Sequence, residues 1–240
     1  MLNNKTLFFL FISLCFSCKP NTKEQQNNTY TDAVSIAAMK DVMWKGELFS
    51  KIQLDTINPK KGLYGLGPEA FLRGEILINN GKTYVSRVLS DSTMTVKEIP
   101  DAEAPFFVYA NVNEWNEIRL PSSVKSIKDL ETFIDSKSKD KKRPFAFKLE
   151  GSISKATIHI QNLPEGTKVS SPKEAHQGQT NYQLENEHVD IIGFFSTEHQ
   201  GVFTHHDSFL HMHLITKDET KMGHLDSVVF DEMTLLLPKS

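Results

Sequence analysis

An alternating segment near the carboxyl terminus constrains the fold most strongly. It reads Phe-Leu-His-Met-His-Leu-Ile over residues 209–215, and a polar stretch separates it from Gly-His-Leu-Asp at 223–226. Alternate side chains of a strand share a face, so His211 and His213 point one way while their apolar neighbours point into a core. Because the polar stretch is typical of a hairpin turn, antiparallel pairing would place His224 opposite His213, about 5 Å away.

The three histidines predict a metal site. Neutral imidazoles on rigid strands are the donor set of a catalytic zinc site, which keeps a fourth position open for water or substrate. Copper, nickel and cobalt accept the same donors. A lone His-x-His pair is a weak signal, and ordinary sheet histidines bonded to backbone or solvent are the alternative. The third histidine favours Zn²⁺ held by His211, His213 and His224.

These motifs resemble the zinc signature of the alpha-acetolactate decarboxylases, with the same spacing between the first, second and third histidine. Other segments fit the pattern of that family, at 66–67, 71–77, 81–84, 105–108 and 145–151. The resemblance covers the chain approximately from Gly46 to Pro238. It implies an α+β fold, rich in strands, with two largely antiparallel sheet halves and few helices. It also implies a small hydroxy-oxo acid substrate and zinc-dependent decarboxylation of acetolactate to acetoin, or a related reaction.

Glu75 is the first candidate for an acid-base group. It lies in a predicted strand at 70–78, where its carboxyl either meets solvent or enters a cavity. Solvent exposure is the usual state of a strand glutamate. The Leu-x-Gly-Glu glutamate of the family lies in the active site and matches Glu75, so the resemblance implies that Glu75 transfers a proton.

The chain departs from the family pattern where an arginine suited to a substrate carboxylate is expected. Counting along the chain after residues 145–151 reaches His159 or Gln161, and neither side chain carries a permanent charge. His159 is therefore a second catalytic candidate.

The family also has an active-site glutamate in a carboxyl-terminal tail, and we find no equivalent before Ser240. The polar stretch 196–207 precedes the histidine strand and could supply a replacement or a partner for a ligating imidazole. Its candidates are Glu198, His199, His205, His206 and Asp207. Glu198 is the third catalytic candidate, and a loop-capping role is the alternative for His205 and His206.

Two other functions stay open. In the first, the chain is a binding module that keeps zinc and a pocket but has lost catalysis, which the missing arginine and tail glutamate favour. In the second, it is a zinc hydrolase that uses Glu75 or Glu198 as the base for metal-bound water.

Composition excludes few classes of function. The 240 residues suit one large domain or two small ones sharing a core, and a net charge of −3 gives no electrostatic argument for nucleic acid. We therefore predict no nucleic-acid partner. A homodimer is compatible with this interpretation.

The amino terminus predicts export. Residues 1–17 have an early lysine and an apolar run too short to span a bilayer, and Ser17 precedes Cys18 as in the cleavage box of bacterial lipoproteins. Cys15 stands where leucine is usual, so a plain secretory peptide is the alternative. We predict a signal peptide at 1–17, an acylated Cys18, a tether with a lead-in helix at 18–44 and one domain at 45–240. The protein would then be lipid-anchored, periplasmic or at the cell surface, with its anchor as the only membrane contact.

Periodicity and turn residues predict the elements of the domain. Strands are expected at 46–54, 70–78, 82–89, 92–97, 105–111, 145–149, 155–161, 189–196 and in the two histidine strands. One amphipathic helix is expected at 126–138 with Ser126 as its N-cap, and a long loop at 164–179.

Overall fold

The computed structural model describes residues 32–239, and the first half of this part is a six-stranded antiparallel sheet. Its strands are β1 (Val34–Ile36), β3 (Leu63–Pro68), β4 (Glu75–Asn79), β5 (Lys82–Ser90), β6 (Thr93–Glu98) and β8 (Phe107–Asn111). They are arranged in the order β1-β8-β3-β4-β5-β6. The short strands β2 (Ile52–Gln53) and β7 (Glu103–Ala104) pair beside this sheet.

The second half is a small closed sheet. Its strands are β9 (Trp115–Arg119), β10 (Phe145–Ile160), β11 (Thr180–Phe195), β12 (Leu210–Thr216) and β13 (Met222–Pro238). Strands β10 to β13 pair in sequence and β13 returns to β10, so the hydrogen bonds form a ring, while β9 adds to the far end of β13. The predicted fold class, α+β with two antiparallel sheet halves and few helices, is confirmed.

The two faces of β12 lie in different apolar layers. Leu210, Met212 and Leu214 pack into the core inside the ring. Ile215 belongs instead to a layer that β10 and β11 share with Leu66 of the first sheet. Because side chains alternate along a strand, the histidines of β12 also face away from the ring core, towards the first sheet.

Helices are few and short. They are α1 (Met39–Lys45), α2 (Ile127–Lys137) and α3 (Pro172–Ala175), with single 3₁₀ turns at Leu54–Thr56 and Ala70–Leu72. Helix α2 begins as predicted, because Ser126 and Asp129 form a capping box in which each side chain accepts from the other residue's backbone N–H. In residues 32–239 no helix has the length and apolar character needed to cross a bilayer.

Several predicted boundaries are wrong for local reasons. The strand expected at 46–54 is reduced to Ile52–Gln53, because Gly46 ends α1 in a left-handed conformation and turns the chain. The strand expected at 70–78 begins only at Glu75, because Phe71 and Leu72 adopt positive φ in a 3₁₀ turn. The strands expected at 145–149 and 155–161 are one strand, β10, whose register shifts between Gly151 and Lys155.

The folded part begins earlier than the predicted boundary at residue 45. Strand β1 pairs with β8, and the N–H of Met39 in α1 donates to the carbonyl of Val202. The predicted signal peptide, Cys18 and the tether up to residue 31 lie outside the described residues.

Candidate metal centre and active site

Three adjacent strands of the ring place histidines side by side. His213 of β12 is the direct cross-strand partner of His224 of β13, as predicted, and His224 is in turn the partner of His159 of β10. The ring centroids of His213 and His224 are 5.5 Å apart, and those of His224 and His159 are 4.6 Å apart. His211 lies two residues from His213 on the same face of β12, with its ring centroid 5.0 Å from that of His224.

The three predicted ligands converge. One ring nitrogen from each of His211, His213 and His224 lies within 4.8 Å of the other two. All three side chains are buried, yet Nδ1 of His211 and both ring nitrogens of His213 have no hydrogen-bond partner. Buried polar atoms normally have a hydrogen-bond partner, so these unpaired nitrogens indicate that the site binds a ligand.

The donor set fits a metal ion. Burial, reinforced by neighbouring imidazoles, lowers the pKa of His211 and His224 well below the usual range and that of His213 to about 3. The imidazoles are therefore neutral at pH 7, which is the form that binds metals. His211, His213 and His224 would hold the ion, and three protein ligands leave one position of a tetrahedron for substrate.

Glu75 reaches this cluster from the other sheet. It is the first residue of β4, it is 3% exposed, and its Oε2 lies 3.6 Å from Nε2 of His213. The backbone N–H of Gln161 donates to the other carboxyl oxygen, Oε1, at 3.2 Å. Burial raises the pKa of Glu75 well above its usual range despite this hydrogen bond. Burial thus favours the protonated form of this carboxyl, and its Oε2 faces the histidine cluster.

His159 is paired with a carboxylate. Its Nδ1 lies 2.7 and 2.9 Å from the two oxygens of Asp226, and its Nε2 lies 3.4 Å from Nε2 of Gln161. His159, His224 and Asp226 also form a group whose ligand atoms lie within 4.8 Å of one another. The pairing with Asp226 fixes the orientation of the His159 ring.

These groups line a cavity of about 180 Å³. Its apolar wall comes from α1, the end of β3, the 3₁₀ turn at Ala70–Leu72 and the residue before β8, through Met39, Met43, Pro68, Leu72 and Phe106. Its polar wall is formed by Glu75, His159, Gln161, His176, Gln179, His205, His211, His224 and Asp226. No lysine or arginine of the described chain is among the lining residues. A second pocket, of about 390 Å³ against α2, shares His205, His224 and Asp226 with the first.

The polar stretch 196–207 places one of its five candidates, His205, at the cavity. Glu198 is exposed on the turn after β11 and does not line the cavity, because its backbone N–H donates to Ser196 and the turn directs its side chain outwards. His199 stacks on Phe203, with ring centroids 5.1 Å apart. Only His205 of this stretch lines the cavity, with its ring 5.2 Å from that of His224, and burial lowers its pKa.

Sequence reasoning missed several lining residues. Asp226 stands two positions after His224, so the alternation of β13 was the signal that could have found it. His176 and Gln179 come from the loop predicted at 164–179, and Met39 and Met43 from α1, where no local pattern indicates a cavity.

The comparison with protein families agrees with this geometry. The family model described as alpha-acetolactate decarboxylase matches residues 36–239. The chain belongs to this family. Among curated alpha-acetolactate decarboxylases, that of Brevibacillus brevis is 25% identical over 177 residues, which is 73% of this chain and 59% of the relative. That of Lactococcus lactis subsp. cremoris is 27% identical, over 73% of this chain and 71% of the relative. The alignment therefore spans less than two thirds of the Brevibacillus protein.

Solved structures of the family share the fold. The alpha-acetolactate decarboxylase of Bacillus subtilis strain 168 superposes with a TM-score of 0.71 at 23% identity, covering 87% of this chain and 86% of that one. A Staphylococcus aureus protein of unknown function, similar to alpha-acetolactate decarboxylase, gives a TM-score of 0.73 at 16% identity with the same coverage.

Proposed function

We propose that this family member is a metal-dependent decarboxylase of a small 2-hydroxy-3-oxo acid, acetolactate or a close relative, and that its metal is Zn²⁺. The observation that carries the proposal is the buried carboxyl of Glu75, 3.6 Å from His213 in a cluster of three buried histidines beside a small cavity, with unsatisfied ring nitrogens on His211 and His213. Family membership supports the decarboxylase class.

The reaction needs two contributions from the site, which are stabilisation of negative charge and delivery of a proton. When carbon dioxide leaves, the electron pair of the broken carbon–carbon bond moves towards the neighbouring carbonyl oxygen, and a proton must later be added to carbon. Held by His211, His213 and His224, the metal supplies positive charge that stabilises the negative charge developing on substrate oxygens.

Glu75 is the group assigned to proton transfer. Because Oε1 accepts from the Gln161 N–H, Oε2 is the oxygen that would exchange a proton on the side of the histidine cluster. A carboxylic acid fixed on one side of a bound substrate adds its proton to one face, which would give a single enantiomer of acetoin.

The apolar wall assists by limiting water. Met39 and Met43 of α1 and Phe106 close one side of the cavity, which lowers the local dielectric and strengthens the interactions of the polar wall.

A direct assay tests the proposal. Purified protein loaded with Zn²⁺ is incubated with acetolactate, and carbon dioxide and acetoin are measured, with His213→Ala as the negative control. Stoichiometric release of both products by the wild type alone supports the proposal. If zinc-loaded wild type releases neither product, the second candidate function, a binding module, is supported. The cavity wall agrees with that candidate, because no lysine or arginine lines it among the described residues.

The hydrolase alternative loses one of its two proposed bases, because Glu198 lies outside the cavity.

We also propose that the protein is exported and anchored through Cys18. The apolar run of residues 1–17 and the Ser-Cys step that ends it support this localisation.

A further inference from the structure

Two of the three proposed metal ligands lie far from solvent. His213 is 0% exposed and His211 is 4% exposed. A cation that leaves water loses a large hydration free energy, unless protein ligands replace its water molecules as it moves inwards. A metal ion that reaches His211 and His213 therefore needs donor groups along its way.

A second group of potential ligands lies beside the first. It consists of His159, His224 and Asp226, whose ligand atoms lie within 4.8 Å of one another. Nε2 of His224 lies 3.9 Å from Oδ1 of Asp226, and neighbouring ligand atoms of a tetrahedral zinc ion lie about 3.4 Å apart. His224 belongs to both groups. An ion can thus move from one group to the other while it keeps His224 as a ligand.

The second group lies next to the pocket of about 390 Å³ against α2, which we call the α2 pocket. His205, His224 and Asp226 line both this pocket and the cavity, so they stand where the two meet. The side chain of Asp226 is 32% exposed, whereas His224 is only 8% exposed. A carboxylate that water reaches can therefore take an ion from solvent and hold it beside His224.

The α2 pocket has the charge that attracts cations. Its lining includes the carboxylates of Glu131, Asp207 and Asp226. Lys128 is the only lysine or arginine among the described residues that line it. The apolar wall of the cavity, which includes Phe106, carries no charge. A hydrated cation is therefore drawn to the α2 pocket, since fields in a cleft of one charge raise the local concentration of the opposite charge.

We propose that the metal enters through the α2 pocket and that Asp226 is the first residue to bind it. The ion then passes by way of His224 to His211 and His213. The ring of His205 lies 5.2 Å from that of His224 and 6.4 Å from that of His211, so it stands beside this path. The inference rests on the metal site of the proposed function and does not depend on the reaction.

The test separates the rate of metal exchange from the affinity. A residue on the route lowers the barrier that the ion crosses in both directions, so its loss slows uptake and release by the same factor and leaves Kd unchanged. A residue that only supports the ligands changes Kd. Zinc release from the loaded full chain into excess EDTA gives the release rate, and competition with the same chelator at equilibrium gives Kd.

Asp226→Asn should slow zinc release roughly tenfold at unchanged Kd, because the amide lacks the charge that holds the ion on its way. Asp231→Asn is the matched control. Asp231 is exposed on the same strand and lines neither the α2 pocket nor the cavity, so this variant should keep the wild-type rate.

Lys128→Glu reverses a charge in the α2 pocket and leaves both groups of ligands intact. It should speed zinc release a few-fold at low ionic strength, and added salt should reduce the gain. Because Lys128 is exposed on α2, this variant decides the question if Asp226→Asn does not fold. Thermal unfolding shows which variants are folded.

Wild-type release rates in Asp226→Asn would overturn the proposal. So would slower release that is matched by an equal change in Kd, or Lys128→Glu that releases zinc no faster than the wild type. Zinc-loaded protein that shows the expected rates but releases no carbon dioxide from acetolactate would refute the proposed function and support the entry route.

Discussion

Oε2 of Glu75 lies 3.6 Å from Nε2 of His213, although β4 and β12 belong to different sheets. The carboxyl and the histidines therefore meet only where the six-stranded sheet packs against the ring of β10 to β13. The distance between the Glu75 carboxyl and the His213 ring is set by side chains such as Leu66 and Ile215 in the layer between the sheets. Packing between the halves of the molecule thus controls the geometry of the site.

Each of His211→Ala, His213→Ala and His224→Ala should release most of the bound metal, because two remaining imidazoles are too few to hold the ion. Metal content after gel filtration, measured by mass spectrometry, checks this expectation. His188→Ala is the matched control, because the His188 side chain is exposed on β11, where its ring contacts Ser152. Stoichiometric zinc in all three cluster variants would refute the assignment of the ligands.

Glu75→Gln should lower the turnover of acetolactate by about 10² to 10⁴ and leave the metal content unchanged. The amide keeps the size of the side chain but removes the transferable proton. Carbon dioxide release and metal content are measured on the same preparations. Glu98→Gln changes an exposed glutamate of β6 and should retain full activity. Near-normal turnover in Glu75→Gln would mean that the carboxyl is only structural.

Asp190→Asn should lower the free energy of unfolding at pH 7 by about 2 kcal/mol, because it removes one of the two carboxylates that pair with the buried ammonium of Lys148, 3.1 Å away, while Glu150 remains at 2.6 Å. Burial alone would raise the pKa of Asp190, but hydrogen bonds from Lys217 and Asn79 and the charge of Lys148 outweigh it and lower the pKa. Urea unfolding monitored by fluorescence measures the difference.

The same substitution has a defined pH dependence. Because the folded pKa of Asp190 is lowered, its contribution to stability is complete above the unfolded value of about 3.9 and is lost as the pH falls through the folded value. The gap between wild type and Asp190→Asn should therefore be constant from pH 7 to about 5 and narrow below about 4. A gap that widens with acid would contradict this electrostatic account.

Cys18→Ser should move the protein from the membrane fraction to the soluble fraction, because a hydrophilic tether has no affinity for lipid once the acyl group is absent. Fractionation of cells followed by immunoblotting checks the distribution. Cys15→Ser is the matched control and should leave the protein in the membrane fraction, since cleavage before Cys18 removes residue 15. Wild type found wholly in the soluble fraction would refute the anchor.

The histidine hairpin could be predicted because the residues that determine its pairing are close together in the sequence. Alternation along β12 and one polar turn are sufficient to pair His213 with His224, and the structure has this register. The partnership of Glu75 with His213 has no such signal, because it depends on how one sheet packs on the other. The pairing of His159 with Asp226 depends on the register of β10 against β13.

The predicted strand boundaries were wrong where tertiary contacts determine the backbone conformation and the alternation of apolar residues does not. The apolar residues at 70–78 alternate as in a strand, yet Phe71 adopts positive φ and packs edge-on against Phe49, with ring centroids 5.1 Å apart. Strand β9 was missed, although it pairs with the last residues of β13. Its sequence is mostly polar and its residues are largely exposed, so alternation gives no signal.

The turn between β12 and β13 determines which insertions the family fold can accept here. Its ends are joined by the hydrogen bond from the Thr216 N–H to the Lys221 carbonyl, and its tip is fastened to the first sheet where the hydroxyl of Tyr84 donates to Glu219. One added or deleted residue would shift the pairing of β13 by one step and turn His224 to the opposite face. The length of this turn and the anchor that Glu219 provides therefore keep His224 in the histidine cluster, so that a count of residues preserves the site as much as their identity does.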